Sequence, residues 1–332
     1  MAAKAKEVHA LKGLSFRLAR KDPEDCRRFC ELSNGLYARK VGPEYYGWQF
    51  FGPPHPSYLA FASTDRGDLA GCYGMHVLDL AHGRGKVGMA LDIMVAPEFQ
   101  GKGVFRALAK MAEERLLAHA PRGAYVMANR RCAEAHVHGL GWTLVNVFED
   151  CVCETVAGGP AGGGSLEFRP VEAPDAAGVG GPSAGRQEGL LRIARGPEHR
   201  AWRIRQNPRY RYDVVECLEG GDSFGRLTLK VFSDPATGEA MGDIVDLSWA
   251  EDSPPNLAEM LRFALTFFRE KGIARATTWL QTNTILDEVG RSLGFQRTER
   301  RRYLCVKAPG EDTLQMKDPR SWCMMMLDSE VY

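Results

Sequence analysis

The sequence predicts an α/β chain made of two similar halves in tandem, and three features carry that prediction. A hydrophobic strand runs into a glycine turn and then a long amphipathic helix between Met89 and Leu116. Seven short matches recur in the same order after 152 to 154 residues. Between the two sets lies Ala157-Gly158-Gly159-Pro160-Ala161-Gly162-Gly163-Gly164-Ser165, the composition of a flexible connector. A chain of 332 residues is long enough for two cores, and 44% hydrophobic with 26% charged residues is the balance expected of a water-soluble protein.

The first half opens with a strand at Leu14-Ser15-Phe16-Arg17. Asp22-Pro23-Glu24-Asp25 then starts a helix, with a capping side chain, a proline at the first helical position and early acids. An aromatic stretch follows (Tyr45, Tyr46, Trp48, Phe50, Phe51), and then Pro53, Pro54 and Pro56. Strands are expected at Tyr58–Ser63, Leu69–Leu80 and Met89–Val95, the last stopped by Pro97. Val104, Phe105, Leu108, Met111, Ala112 and Leu116 form the stripe of the long helix. A strand at Ala124–Met127, a short helix over Cys132–Leu140 and a final strand from Trp142 to Val152 complete the half.

In the second half Leu166-Glu167-Phe168-Arg169 repeats the opening strand. Trp202 repeats Trp48, Pro208 Pro54, Gly225 Gly71, Asp246 Asp92, Asn283 Asn129, and Leu293-Gly294-Phe295 repeats Leu140-Gly141-Trp142. The expected divisions are 1–154, a connector over 155–165, and 166–332. A second long helix carries Leu257, Met260, Leu261, Ala264, Leu265 and Phe268, with Asn256 and Glu259 as a capping box and Gly272 as its stop. At constant displacement Pro254-Pro255 falls on Gln100-Gly101, and Leu257 on Gly103. Prolines have no N–H to offer an anion, so the second half is expected to keep the scaffold and lose the anion cradle.

The glycine turn itself is Gln100-Gly101-Lys102-Gly103. Two glycines let the backbone turn tightly, and the N–H groups of a helix's first turn, backed by the helix dipole, suit a diphosphate. With its preceding Val-x-Pro strand end, the segment resembles motif A of the GNAT acyltransferase superfamily, Gln/Arg-x-x-Gly-x-Gly/Ala. The resemblance implies two tandem GNAT-like domains, each a mixed central sheet flanked by helices, the first binding acetyl-CoA or another acyl-CoA. It gives the pyrophosphate to Gln100, Gly101, Lys102, Gly103, Val104 and Phe105, and the pantetheine and thioester to the main chain of Ile93, Met94 and Val95. Phe105 departs from the pattern, standing where Gly or Ala is usual.

Asp92 lies in the slot where some members of that family carry a general base, although Asp246 repeats it in the other half. Many members have a tyrosine as general acid four residues before the final Gly-Phe pair, and here that position is Val137. His136 and His138 flank it and titrate in the useful range. Asn129, at a strand end, suits a hydrogen bond to pantetheine or substrate. His55, His76 and His82 are further candidate bases. No cysteine or serine has an obvious activating neighbour, which favours direct attack of an amine in a ternary complex over a covalent enzyme intermediate.

The tandem layout, the Trp48 and Trp202 elements and the tail Trp322…Asp328-Ser329-Glu330-Val331-Tyr332 are similar to N-acyltransferases acting on nucleotide-linked amino sugars in surface-polysaccharide synthesis. On that resemblance Trp48 or Arg301, within Arg297…Arg300-Arg301-Arg302, would meet the substrate. The alternatives are acylation of an aminoglycoside or other polyamine, and an acyl-CoA-binding module without turnover. A net charge of +1 gives no footing for nucleic acid. No run reaches a membrane span, the N-terminus lacks a signal-peptide core, and no cysteine pairing completes a metal site. Nine scattered cysteines read as reduced thiols of a cytoplasmic protein, with a homodimer possible.

Overall fold

The computed structural model describes residues 11–120, 122–158, 164–172, 189–233, 237–310 and 313–330. Residues 159–163 of the expected connector lie outside them. The chain forms two compact units, one from residues up to Leu78 with Lys86–Ala124, the other from Asp79–Gly85 with Tyr125 onward.

In the first unit β1 (Leu14–Leu18), β2 (Ser57–Thr64), β3 (Leu69–Asp79) and β4 (Lys86–Val95) are neighbours in that order. β1 and β2 are antiparallel, as are β2 and β3, with Phe16 opposite Ala62 and Ala60 opposite Tyr73. Helix α1 (Pro23–Leu36) begins as its sequence predicts, the Asp22 carboxylate accepting from the Asp25 amide at 2.8 Å. The aromatic stretch is helix α2 (Pro43–Phe51). Its rings close around Phe29 of α1, with Tyr46 and Phe50 centroids 5.4 and 5.3 Å away. Helix α3 (Val104–Leu116) buries Val104, Leu108, Ala109, Ala112 and Leu116.

The second unit is a mixed sheet in the order β5-β12-β6-β11-β10-β9-β8-β7. The strands are β5 (Ala124–Ala128), β6 (Thr143–Glu154), β7 (Leu166–Pro170), β8 (Tyr212–Glu219), β9 (Asp222–Ser233), β10 (Ala240–Trp249), β11 (Arg275–Trp279) and β12 (Gln296–Lys307). β10 and β11 run parallel, whereas β6 is antiparallel to both β11 and β12. The last strand of the second half therefore lies between two strands of the first, and β6 reaches across to β11. Cys151 and Cys153, two apart on β6, are both buried on one face, and all nine cysteines are free thiols. Helix α6 (Pro254–Glu270) packs Leu257, Met260, Leu261, Ala264, Leu265 and Phe268 on Leu227, Leu229, Ile244 and Leu247. The remaining helices are α4 (Arg130–Glu134), α5 (Pro197–Arg200), α7 (Ile285–Ser292) and α8 (Thr313–Lys317).

The duplication is visible in backbone contacts. A methyl added at Gly71 would stand 2.7 Å from the Met94 carbonyl oxygen, and one at Gly225 2.5 Å from that of Ser248. One at Gly88 would meet Leu116 at 2.2 Å, and one at Gly242 would meet Phe268 at 2.6 Å. These close approaches of strand and helix require glycine at matched places in both halves. They also correct the alignment of the two long helices. Leu116 matches Phe268, as Leu108 matches Met260, at a displacement of 152, while β4 and β10 match at 154. The loop before α6 is therefore two residues shorter, so Pro254-Pro255 falls on Lys102-Gly103 and Leu257 on Phe105. The expected capping box is likewise replaced. Ser253 caps α6, while Asn256 donates to Glu219 at 3.0 Å and Glu259 accepts from the Leu166 amide at 3.3 Å. Gly272, at φ +74°, ends the helix as expected.

Candidate active site

Strand β4 is irregular at one residue. Asp92 sits at φ +45°, a left-handed conformation uncommon for any residue with a side chain. Its carbonyl accepts from Cys72 Sγ at 3.2 Å. Its carboxylate accepts from the Tyr45 hydroxyl at 3.1 and 3.2 Å and from Gln49 Nε2 at 3.3 Å. Tyr45 and Gln49 are four apart on α2 and thus share a helix face. Gln49 is fully buried, and its Oε1 accepts no hydrogen bond from the described residues. Holding that amide with its nitrogen toward Asp92 carries a desolvation cost of about 1–3 kcal/mol.

Beyond β4, Pro97–Phe99 make one tight turn, after which the Gln100 amide donates to Pro97 at 3.2 Å. The Gln100 side chain turns back and donates to the Val95 carbonyl at 2.9 Å. The Gln100 side chain thus braces the loop. Gly101 and Gly103 both have left-handed backbone, φ +73° and +86°. A methyl at Gly101 would meet nothing within 4 Å, and one at Gly103 only Leu11 at 3.9 Å, so among the described residues no side chain fills the space beside these two glycines. Among the described residues the N–H groups of Gly101, Lys102, Gly103 and Val104 have no hydrogen-bond acceptor. They lie at the positive end of α3. Lys102 is exposed, its ammonium 5.8 Å from the Phe99 ring centroid. Phe105 meets Tyr73 ring to ring at 5.9 Å, which seats the residue that departs from the family pattern against the sheet. Ile93 and Val95 are half-buried and Met94 is buried.

Several of the other candidates make contacts within the fold. Asn129 caps α4, accepting from the Cys132 amide at 2.9 Å. The expected helix over 132–140 starts at Arg130 and widens into a π-turn over Ala135–Gly139. His136 is fully buried, with Nδ1 2.8 Å from the Cys132 carbonyl and its ring edge-on to Trp142 at 4.7 Å. Burial lowers its pKa to about 4, and the Cys132 thiol 3.6 Å away is pushed up to about 12. That Cys–His pair is therefore a neutral core contact and no nucleophile. His138 is exposed and Val137 half-buried. His76 is buried edge-on to Phe50, His55 lies 3.3 Å from the Lys86 ammonium, and His82 occupies a turn at φ +59°. Trp48 is 8% exposed within the aromatic core beside Tyr45. Arg301 pairs with Glu149 at 3.1 Å, and Arg297 with Asp287 at 2.5 Å, so the arginine cluster is partly neutralised.

His136 makes a pH-dependent contribution to stability. Its folded pKa is depressed, so the unfolded chain takes up a proton between about pH 6.5 and pH 4 that the folded chain refuses. The stability it supports is present above about pH 6.5 and lost as pH falls toward 4, by about 3 kcal/mol at most. His136→Phe should flatten this decline in urea-unfolding curves measured at pH 7, 5.5 and 4.5. An unchanged slope would contradict the assignment.

The irregular strand, open glycine loop and long helix define the class, which is the GNAT fold. Residues 23–146, a little over a third of the chain, match the acetyltransferase (GNAT) family. The structure is similar to a probable N-acyltransferase from Enterococcus faecalis V583, with TM-score 0.64 and 10% identity over 91% of this chain and 74% of that one. It is similar to a tandem GNAT protein from the clavulanic acid biosynthesis pathway, with TM-score 0.60 and 12% identity over 90% and 100%. A third likeness is to the glucosamine N-acetyltransferase region of a fungal multi-domain GH3 β-N-acetylglucosaminidase, with TM-score 0.59 and 13% identity over 89% of this chain and 38% of that one. At these identities the likeness establishes the fold. No curated protein matches the sequence. Among the described residues no helix is long and apolar enough to cross a membrane, and no group of three or more His, Cys, Asp or Glu is poised to hold a metal.

Proposed function

We propose that the protein is an acyl-CoA-dependent N-acyltransferase with one active site, in its first half. The observation that carries this reading is the open loop from Gly101 to Val104, two left-handed glycines with their amide hydrogens turned to no acceptor among the described residues. A diphosphate suits such a nest at a helix start, and coenzyme A carries one. When bound, acyl-CoA supplies an electrophilic thioester carbonyl for attack by an amine. Gly101, Lys102, Gly103, Val104 and Phe105 would hold the pyrophosphate, with Lys102 adding charge, and the main chain of Ile93, Met94 and Val95 would face the pantetheine. Asp92 is the residue of choice to take the amine's proton. Asn129, a helix cap, is not assigned to the cofactor, and His136, a neutral core residue, and His138, a solvated one, are not assigned catalytic work.

The halves 1–154 and 166–332, joined by 155–165, are proposed as the repeats. In the second, Pro254 and Pro255 open the helix and Ser253 caps it, which leaves no equivalent cradle. The free cysteines suit a reducing, cytoplasmic setting. For the acceptor we favour a nucleotide-linked amino sugar, a choice supported by the glucosamine acetyltransferase region among the similar folds. An aminoglycoside or other polyamine is the second reading, and a binding module without turnover the third. Thiol release from acetyl-CoA with a panel of nucleoside-diphosphate amino sugars and polyamines distinguishes these. Calorimetry should give one acetyl-CoA per chain, and saturation at two would contradict the single-site assignment.

A further inference from the structure

We infer that the segment Trp322–Ser329 is an internal strap that closes the second half, docked at the place where the first half joins α2 to β4. Gly42-Pro43-Glu44-Tyr45-Tyr46-Gly47-Trp48-Gln49 recurs as Gly196-Pro197-Glu198-His199-Arg200-Ala201-Trp202-Arg203. Both copies form a proline-initiated helical segment, Pro43–Phe51 in one and Pro197–Arg200 continued by Ala201–Arg205 in the other. In the first half helix and strand touch directly, Gln49 donating to Asp92 at 3.3 Å. In the second half the same two positions are Arg203 and Asp246, and both are tied to the strap. The Arg203 guanidinium donates to the Ser329 carbonyl. Asp246 accepts from Arg195 at 3.2 and 3.3 Å, and the same guanidinium pairs with Asp328 at 2.6 Å.

The strap is buried and yet lies outside the sheet. Met324, Met325, Met326, Leu327, Asp328 and Ser329 are each 3% exposed or less, and none of them belongs to a strand. Three consecutive methionines suit such a filler, because their unbranched side chains adapt to irregular space. Met325 joins the apolar cluster of Ile244, Leu247 and Trp249. At the near end Trp322 makes a parallel bridge with Leu191, and its indole donates to the Met316 carbonyl at 2.7 Å. At the far end the Asp328 carboxylate accepts from the Met325 amide at 2.8 Å, and the Tyr125 hydroxyl donates to the Asp328 carbonyl at 2.9 Å. Arg195 is the clasp, since a planar guanidinium forks across two carboxylates in a way an ammonium does not. Docked by side chains in place of a strand ladder, the strap can open without unzipping the sheet. It fills the twin of the place where Asp92 is proposed to meet an amine, so the second half is closed to an acceptor as well as to a diphosphate. That last step rests on the acyl-transfer reading, whereas the docking does not.

Asp328→Asn removes the strap's charge and leaves Arg195 paired with Asp246, so the unit is expected to stay folded. The amides of Asp328 and Ser329 donate to the Met325 and Met326 carbonyls at 2.9 and 3.1 Å. In hydrogen exchange on the full chain these two amides should exchange about 10- to 100-fold faster in the variant, while those of β9 and β10 keep the parent's rates. Arg195→Lys, which keeps the charge and loses the fork, should act in the same direction. Burial holds the Cys323 thiol above its usual pKa, so in the parent it should react slowly with iodoacetamide, and in both variants faster. Unchanged strap amides and unchanged Cys323 labelling in both variants would show that Arg195 does not hold the segment, and the strap would be wrong. Loss of protection in β9 and β10 together with the strap would also overturn it, because the segment would then be ordinary core. Absence of acetyl-CoA binding to the parent would overturn the acyl-transfer reading alone, since the exchange experiment contains no cofactor.

Discussion

Gly101→Asp should weaken acetyl-CoA binding by about 100-fold or more, equivalent to about 3 kcal/mol, while barely changing the melting temperature. The native φ of +73° is one that aspartate adopts more readily than most side chains, and the added Cβ would meet nothing within 4 Å. The fold therefore has little reason to object. The ligand does, because the new carboxylate stands among the amides that would receive a diphosphate and repels it. Gly101→Asn keeps the backbone tolerance without the charge, so it should lose much less affinity than aspartate. Calorimetry on the three proteins decides the matter. Equal affinities across the set would remove the loop from the cofactor site.

The largest effect on stability is expected at Lys230→Met. Lys230 and Asp243 are both about 1% exposed and pair at 2.9 Å across β9 and β10, with the Thr277 hydroxyl donating to the other carboxylate oxygen. The ammonium also lies 4.0 Å from the Tyr210 ring centroid. Burial holds the Asp243 carboxyl above its usual pKa, and Lys230 offsets only part of that rise. Removing the lysine leaves a carboxylate in the sheet interior without its counter-ion, a change that costs about 3–5 kcal/mol. In a unit of this size the melting temperature should fall by roughly 10–15 °C. Lys230→Met combined with Asp243→Leu should recover most of the loss, because a buried pair replaced by apolar groups of similar volume is close to neutral. A single variant as stable as the parent would mean that water reaches the pair.

Local chemistry made much of this legible in advance. The cap at Asp22, the proline starts, the stripe of α3 and the stop at Gly272 each depend on neighbours within one or two turns, and each appears where the residues foretell it. The glycine turn is legible for the same reason, since φ +73° and +86° are conformations that a glycine reaches without a Cβ clash. The repeat extends further than its single-residue matches. Gly-Pro-Glu-x-x-x-Trp in both halves marks the helix that delivers Tyr45 and Gln49, yet only its tryptophan stands out as a repeat on a first reading. Trp48 itself is a core residue, because an aromatic run at helical spacing says that one face is apolar without saying what covers it.

What the sequence determined alone was the long helices, the main strands of the first half, the duplication and the glycine turn ahead of α3, all fixed by short-range sterics and hydrophobic period. Tertiary structure decided which side chains are spent on what. It turned Gln100 back onto Val95, gave Asn129 to a helix cap, sealed His136 in the core and shortened the second loop by two residues. It also set β12 between β5 and β6, and gave the twin aspartates opposite company, hydroxyl and amide for Asp92, guanidinium for Asp246. The strand order and the company of the two aspartates depend on partners 43 to 163 residues away in the chain, where no local pattern of residues carries the information.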